Sequence, residues 1–179
     1  MSSEASRIAE SAKALQNAFD QTFAGTQALE AIPFEDVLGV RIGADPLALR
    51  LSEGAGLFVD RKIVPVPSPA RELLGIVALR GIIVPVYDLG AILGYPYSSA
   101  PRWLLLTRGT TPVGLAFEAF EVHVRVPQAS FAKSEASSTA REHLRGAVQV
   151  GGIMRPIIRI DSVIKAIARF TRADIPSKE

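Results

Sequence analysis

After Pro33 the chain is written in short runs of Val, Ile and Leu, broken every few residues by Gly, Pro or Asp. That punctuation constrains the fold more than any other feature, because a strand completes a buried face in about four to eight residues whereas a helix needs about ten or more. The runs fall at residues 36–42, 47–51, 57–65, 75–79, 82–87, 103–108, 111–117, 120–126, 146–150 and 154–160. Ten such runs, with no regular helices of about 10 to 15 residues between them, predict a mainly β protein. They favour antiparallel pairing in barrels or a sandwich over parallel βαβ units.

Helix is expected at the margins. Ile8, Ala12, Leu15, Phe19 and Phe23 recur at steps of three or four in an Ala-, Ser- and Gln-rich stretch, the period of one amphipathic helix, which Pro33 ends. Its apolar stripe must bury against something to be stable, so it is expected to fold back on the strand-rich region. A short helical piece is expected at 91–93 and another at 162–170, where Val163, Ile164, Ile167 and Phe170 share a face and Asp161 or Ser162 would cap. The polar stretch 133–139 reads as a loop. The organisation is an N-terminal helical extension over 1–32, one domain over 33–170 and a tail over 171–179. No motif repeats identically, although the strand count permits two similar small barrels.

Composition narrows the function. With 48% hydrophobic and 21% charged residues the chain can bury a core. Twenty Lys and Arg against 18 Asp and Glu leave a net charge of +2, too little for a broad field toward nucleic acid or an acidic membrane. There is no cysteine, which excludes disulfides, thiolate metal sites and a Cys nucleophile. The first residues lack a secretory pattern, so the cytoplasm is the expected compartment. The most apolar stretch, 73–97, is interrupted by Arg80 and Asp88 and cannot span a bilayer as a helix.

Catalytic signatures are scarce. No Walker loop, GxSxG elbow or HExxH motif is present. His123 alternates with Val122 and Val124, which puts it on the solvent face of a strand, and with His143 alone it cannot make a metal site. Asp88, Glu118 and Asp161 each end an apolar run, where carboxylates accept backbone hydrogen bonds or cap helices. An enzyme would need two of them close together in a cleft. A nucleic-acid binder would use Trp103, Tyr95 and Tyr97 as stacking surfaces beside Arg102 and Arg108.

The most distinctive stretch is 74–94, LGIVALRGIIVPVYDLGAILG. It reads as two strands around an Arg80-Gly81 turn, with Gly81 able to take a positive φ and Pro85 confined to an edge or bulge. Arg80 at the tip of an apolar hairpin is either an interface anchor or a solvated turn residue.

This stretch resembles the signature of CheW-like domains: Gly-x-x-Asn-Leu-Arg-Gly, four apolar or Pro positions, then an acidic-Leu pair. Here it runs Gly75, Ile76, Val77, Ala78, Leu79, Arg80, Gly81, then Pro85, Val86, Asp88 and Leu89. Upstream, VPVPSP at 64–69 resembles the Pro-containing approach to that signature, and downstream 112–126 resembles the family's Val-Gly-apolar-x-Val-Asp-x-Val strand pair. Residues 144–167 resemble its closing segment, so the likeness covers about 38–167. Three departures stand out: Ala78 replaces Asn, Glu118 replaces Asp, and Glu53-Gly54-Ala55-Gly56 stands where the family has Val-x-Glu followed by Val or Ile. Two glycines in that partner-facing strand weaken it and remove side chains from an interface.

The resemblance implies a pair of five-stranded SH3-like barrels around a shared apolar interface, to which the periodicity adds a short C-terminal helix and an N-terminal helix that exceeds the minimal family domain. It implies a non-catalytic scaffold without cofactor or metal. Such a scaffold binds the regulatory domain of a CheA-type histidine kinase through one barrel and the cytoplasmic tip of a methyl-accepting chemoreceptor in a groove between barrels. It takes up no nucleic acid and does not insert into membrane. The signature residues Arg80, Leu79, Gly81 and Val77 are the interaction residues it implies. The altered 53–56 segment allows an adaptor specialised for twitching, gliding or another non-flagellar output.

Overall fold

The computed structural model describes residues 33–96, 101–132 and 142–173, with side chains for all but 171–173 of these. The amphipathic stretch of 5–31, the polar loop of 133–139 and Tyr97 lie outside the described residues. Phe34–Glu179 forms a compact unit of its own.

Among the described residues eleven strands appear: β1 Phe34–Ile42, β2 Asp45–Arg50, β3 Gly54–Val59, β4 Leu73–Leu79, β5 Ile82–Asp88, β6 Trp103–Thr107, β7 Gly114–Phe117, β8 Ala119–Pro127, β9 Phe131–Ala132, β10 Leu144–Val150 and β11 Ile153–Ile158. Helix α1 is Leu89–Ile92 and helix α2 is Ile160–Ala173. The strands make two sheets, ordered β8-β1-β2-β11-β10-β9 and β3-β6-β7-β5-β4. Pairing is antiparallel except for β11 beside β2 and β5 beside β7. Each of the ten expected runs corresponds to a strand; only the two-residue β9 went unread.

Both sheets roll up on themselves. In the second, the Val64 and Ile76 backbones exchange hydrogen bonds of 2.8 and 2.9 Å, which brings the segment after β3 to the free edge of β4. In the first, β8 leads through a 3-10 turn, Gln128–Ser130, into β9 on the opposite edge. The interior of one barrel holds Val37, Ala48, Val148, Val150 and Ile157, and that of the other holds Val77, Leu79, Val84, Val86, Leu104, Leu106 and Ala116. A third, larger cluster takes Leu38, Val40, Leu47 and Leu49 from β1 and β2, and Leu105, Leu115 and Phe117 from β6 and β7. Those four strands are therefore buried on both faces, one toward their own barrel and one toward the other. That is why LALR, WLLLT and GLAF read as continuous apolar runs, whereas β8 alternates exposed and half-buried residues.

The two barrels repeat one plan. Adding 71 to the residue numbers carries the β4–β5 hairpin onto β10–β11: Leu73, Gly75, Val77, Gly81, Ile82 and Pro85 fall on Leu144, Gly146, Val148, Gly152, Ile153 and Pro156. The register agrees, with Leu73 opposite Tyr87 and Leu144 opposite Ile158, and each pair has its parallel neighbour at Val86 or Ile157. The two similar small barrels that the strand count permits are thus present, related by scattered matches rather than by an identical motif. The repeats also interlock, since β1 and β2 join a barrel completed by β8 to β11, while β6 and β7 complete the barrel of β3 to β5.

Other expectations shift for local reasons. The run at 57–65 breaks at Asp60, which takes φ +50 and is held by its N–H on the Arg102 carbonyl and by a bidentate ion pair with the Arg102 guanidinium. The glycines at 54 and 56 do not prevent a strand: β3 begins at Gly54, where a Cβ would lie 2.7 Å from Leu105 Cδ1, so the missing side chain lets β3 lie close over the inter-barrel layer. Helix α2 starts two residues earlier than expected, and its cap is neither Asp161 nor Ser162. Asp161 pairs with Arg159 and Ser162 with His143, while the Ile160 N–H donates to Glu53 Oε2 at 3.0 Å. Burial holds the Glu53 carboxyl above its usual range, against the lowering effect of that same hydrogen bond.

One charged pair joins a buried arginine of the first barrel to a carboxylate at its surface. Arg155, the counterpart of buried Val84, is 4% exposed and pairs through Nη1 with Glu121 Oε2 at 2.7 Å. Glu121 also accepts from Arg41, and Gly39 leaves room for the guanidinium, because a Cβ there would lie 3.3 Å from Arg155 Cζ. The hydrogen bond from Arg155 holds the Glu121 carboxyl below the usual carboxylate range, with Arg41 adding to the effect against desolvation.

This packing makes two predictions. Gly75 takes φ +142 and a Cβ there would lie 2.1 Å from the Val64 carbonyl oxygen, in the bridge that closes the barrel. Gly75→Ala should destabilise the fold by about 3 kcal/mol, whereas Gly81→Ala, at φ +83 in open space, should cost about 1 kcal/mol; equal losses on thermal unfolding would contradict the bridge. A folded carboxyl titrating below its unfolded range contributes stability that is full above the unfolded pKa, about 4.3, and fades as pH falls through the folded value. Glu121→Ala should therefore lower stability by about 3 kcal/mol at neutral pH and flatten the acid limb of the stability curve. An unchanged acid limb would show that another group governs it.

Candidate partner-binding hairpin

The β4–β5 hairpin turns on two residues, Arg80 at φ +49 and Gly81 at φ +83, with Leu79 paired to Ile82. A left-handed pair of this kind matches the twist of the flanking strands. Glycine takes such a φ freely; arginine bears steric strain of roughly 1 kcal/mol for it. The matching hairpin of the other barrel carries Gly151 and Gly152 at φ +59 and +81.

Val77 and Leu79 point inward and are buried in the barrel core. Of the four implied interaction residues, only Arg80 and Gly81 are thus exposed, and Val77 and Leu79 anchor the strand beneath them. Arg80 does not reach Asp88, whose carboxylate caps α1 by accepting from the Ala91 N–H at 3.1 Å. Its guanidinium instead lies over the ring of Phe58 on β3, 5.6 Å from the centroid, and Arg61 lies over the same ring at the same distance. Beside it, an ideal Cβ on Gly56 would be 3.4 Å from Arg80 Nη2. Ile82 and Ile83 extend the patch, with Ile83 73% exposed and paired across the hairpin with exposed Ala78. Val59 and Val64 are also exposed.

Neither Phe58 nor Arg61 was legible as part of this site. Nothing local to DRK or GLFV marks them, because they meet Arg80 only through closure of the barrel.

The other candidates are occupied elsewhere. His123 sits on the solvent face of β8 with its Nε2 3.0 Å from Asp36, as its alternation with valine predicts. Asp88 and Glu118 line one cleft, but its free space of about 10 Å³ is the size of a single water. Arg102 is held by Asp60, Arg108 Nε donates to the Gly54 carbonyl, and Trp103 packs against Phe120 with centroids 5.0 Å apart. Tyr95 donates to Asp45, so Trp103, Tyr95, Arg102 and Arg108, the described groups of a stacking surface, are engaged in internal contacts. Among the described residues no three His, Asp or Glu side chains gather as a metal site, and no helix is long and apolar enough to cross a membrane. A larger cleft, lined by Pro46, Leu47, Leu93, Tyr95, Met154 and Pro156, lies where the segment after α1 meets the first barrel.

The chain is similar to known proteins over this whole region. It is 24% identical over 140 residues to the chemotaxis protein CheW of Thermotoga maritima, covering 77% of this chain and 93% of that one. The crystal structure of the scaffolding protein TtCheW from Thermoanaerobacter tengcongensis superimposes with a TM-score of 0.64 at 17% identity, over 81% of this chain and 96% of that one, and shares its fold. A family profile described as CheW-like domain matches residues 36–168, which hold both barrels, the signature hairpin and most of α2. The chain belongs to the CheW-like domain family.

Proposed function

We propose that this protein is a non-catalytic cytoplasmic scaffold that couples a CheA-type histidine kinase to chemoreceptors, with the β4–β5 hairpin as its kinase-binding contact. The observation that carries this reading is Arg80 held at φ +49 where the equivalent turn of the other barrel uses glycine. Backbone strain kept at an exposed arginine, beside Ile82 and Ile83, supports a role for that side chain outside the fold. Val77 and Leu79 contribute through the core that fixes the hairpin, and Gly81 through the turn. The cleft between the segment after α1 and the first barrel, where Leu47, Leu93 and Met154 stand beside Asp45 and His143, suits the amphipathic helical tip of a receptor. Coupling of this sort works through simultaneous contact, so its energy lies in the interfaces rather than in bond chemistry.

A second reading is an adaptor for a non-flagellar output. The glycine at 56 favours it, because it leaves β3 without a side chain beside Arg80 and so alters what that face can hold.

Arg80→Gly separates interface from fold. The glycine removes the turn strain, so the thermal midpoint should stay level or rise, while affinity for the regulatory domain of the cell's own kinase should fall by about thirtyfold, or about 2 kcal/mol. A variant that binds as tightly as the parent would remove Arg80 from the contact.

A further inference from the structure

We propose that the Arg80 face takes a carboxylate from its partner, so that the kinase regulatory domain presents an Asp or Glu flanked by apolar side chains to the Arg61–Arg80 pair. This rests on the scaffold reading and names the chemistry of its contact.

Two guanidinium groups share one aromatic ring, and among the described residues neither has a carboxylate within ion-pair distance. The nearest acid in sequence, Asp60, is committed to Arg102 at 2.7 Å. Two cations at Phe58 with no described acid beside them leave a positive spot that a docked anion neutralises. The ring also limits the motion of both side chains, so less rotamer entropy is lost when an acid docks. Gly56 completes the site. A side chain on β3 at that position would stand against Arg80 Nη2, and its absence leaves the guanidinium approachable from the β3 side. Exposed Ile82 and Ile83 border the charges on the hairpin, and Val59 follows Phe58 on β3, so the complementary segment is acidic at its centre and apolar around it.

The face also combines cations with exposed isoleucines, which a membrane of acidic lipids could meet. The paired, ring-held geometry favours a planar carboxylate, to which a guanidinium donates two parallel hydrogen bonds.

The test measures equilibrium binding of the full chain to the kinase regulatory domain from the same cell, between about 0.05 and 0.5 M salt. Arg61→Gln should weaken binding about tenfold at low salt and flatten the salt dependence. Gly56→Glu should place an internal carboxylate on Arg80 and weaken binding about thirtyfold, while Gly56→Gln, which crowds the guanidinium equally but carries no charge, should weaken it only about threefold. Thermal unfolding of each variant confirms that the fold persists, and Arg61→Gln alone decides the matter if both Gly56 variants unfold. Equal effects of Glu and Gln at position 56, or binding indifferent to salt and to Arg61, would overturn the carboxylate while leaving the scaffold standing. Failure of the parent chain to bind the kinase domain would instead overturn the scaffold reading. Saturable binding to vesicles with a fifth of their lipid as phosphatidylserine, abolished by Arg61→Gln, would assign the face to a lipid surface and contradict the proposal.

Discussion

The apolar layer between the barrels is the constraint on which the rest of this molecule depends. Strands β1, β2, β6 and β7 each line a barrel interior with one face and this layer with the other, so neither barrel is complete without the strands that also build the contact. Helix α2 adds Ile160, Val163 and Ile167 to the same layer, and Glu53, just before β3, accepts from the first N–H of that helix. Burial of this kind is worth roughly 25 cal/mol for each Å² of apolar surface removed from water, and it needs no directional partner. The interlocked exchange of strand pairs is its consequence, because two half-barrels that share one layer hide more apolar surface than two separate small barrels could.

Upon that layer the outer hairpins are set as rigid, exposed arms. Each is anchored by inward residues two apart, Val77 and Leu79 in one barrel and Val148 and Val150 in the other, and each ends in a two-residue left-handed turn. The arms differ where their chemistry differs. Buried Val84 in one is matched by Arg155 in the other, which turns inward to Glu121, whereas Gly151 in one is matched by Arg80 in the other, which turns outward to Phe58. One plan therefore carries its arginine inside in the first barrel and at the tip in the second.

Most of the strand pattern was legible because hydrophobic period and Gly or Pro punctuation are local signals. The hairpin at Arg80-Gly81, the cap at Asp88 and the exposed face of His123 were legible for the same reason. What escaped is non-local. The 71-residue repeat hides in six identities spread over seventeen positions, Leu73 to Leu89, whose meaning appears only when the register of β10–β11 is laid on that of β4–β5. The cap of α2 comes from Glu53, 107 residues away, so no local cue at Asp161 could reveal it. Phe58 and Arg61 likewise join Arg80 only because the Val64–Ile76 bridge closes the barrel.

The central claim is that this chain bridges two partners that do not otherwise hold together, and sedimentation of a three-part mixture tests it directly. The kinase regulatory domain, a receptor cytoplasmic-tip fragment and this protein, all from one cell, would be run singly, in pairs and together. The account predicts that kinase domain and receptor fragment co-sediment only when this chain is present. Co-sedimentation of those two without it, or a chain that binds one and excludes the other, would contradict the account.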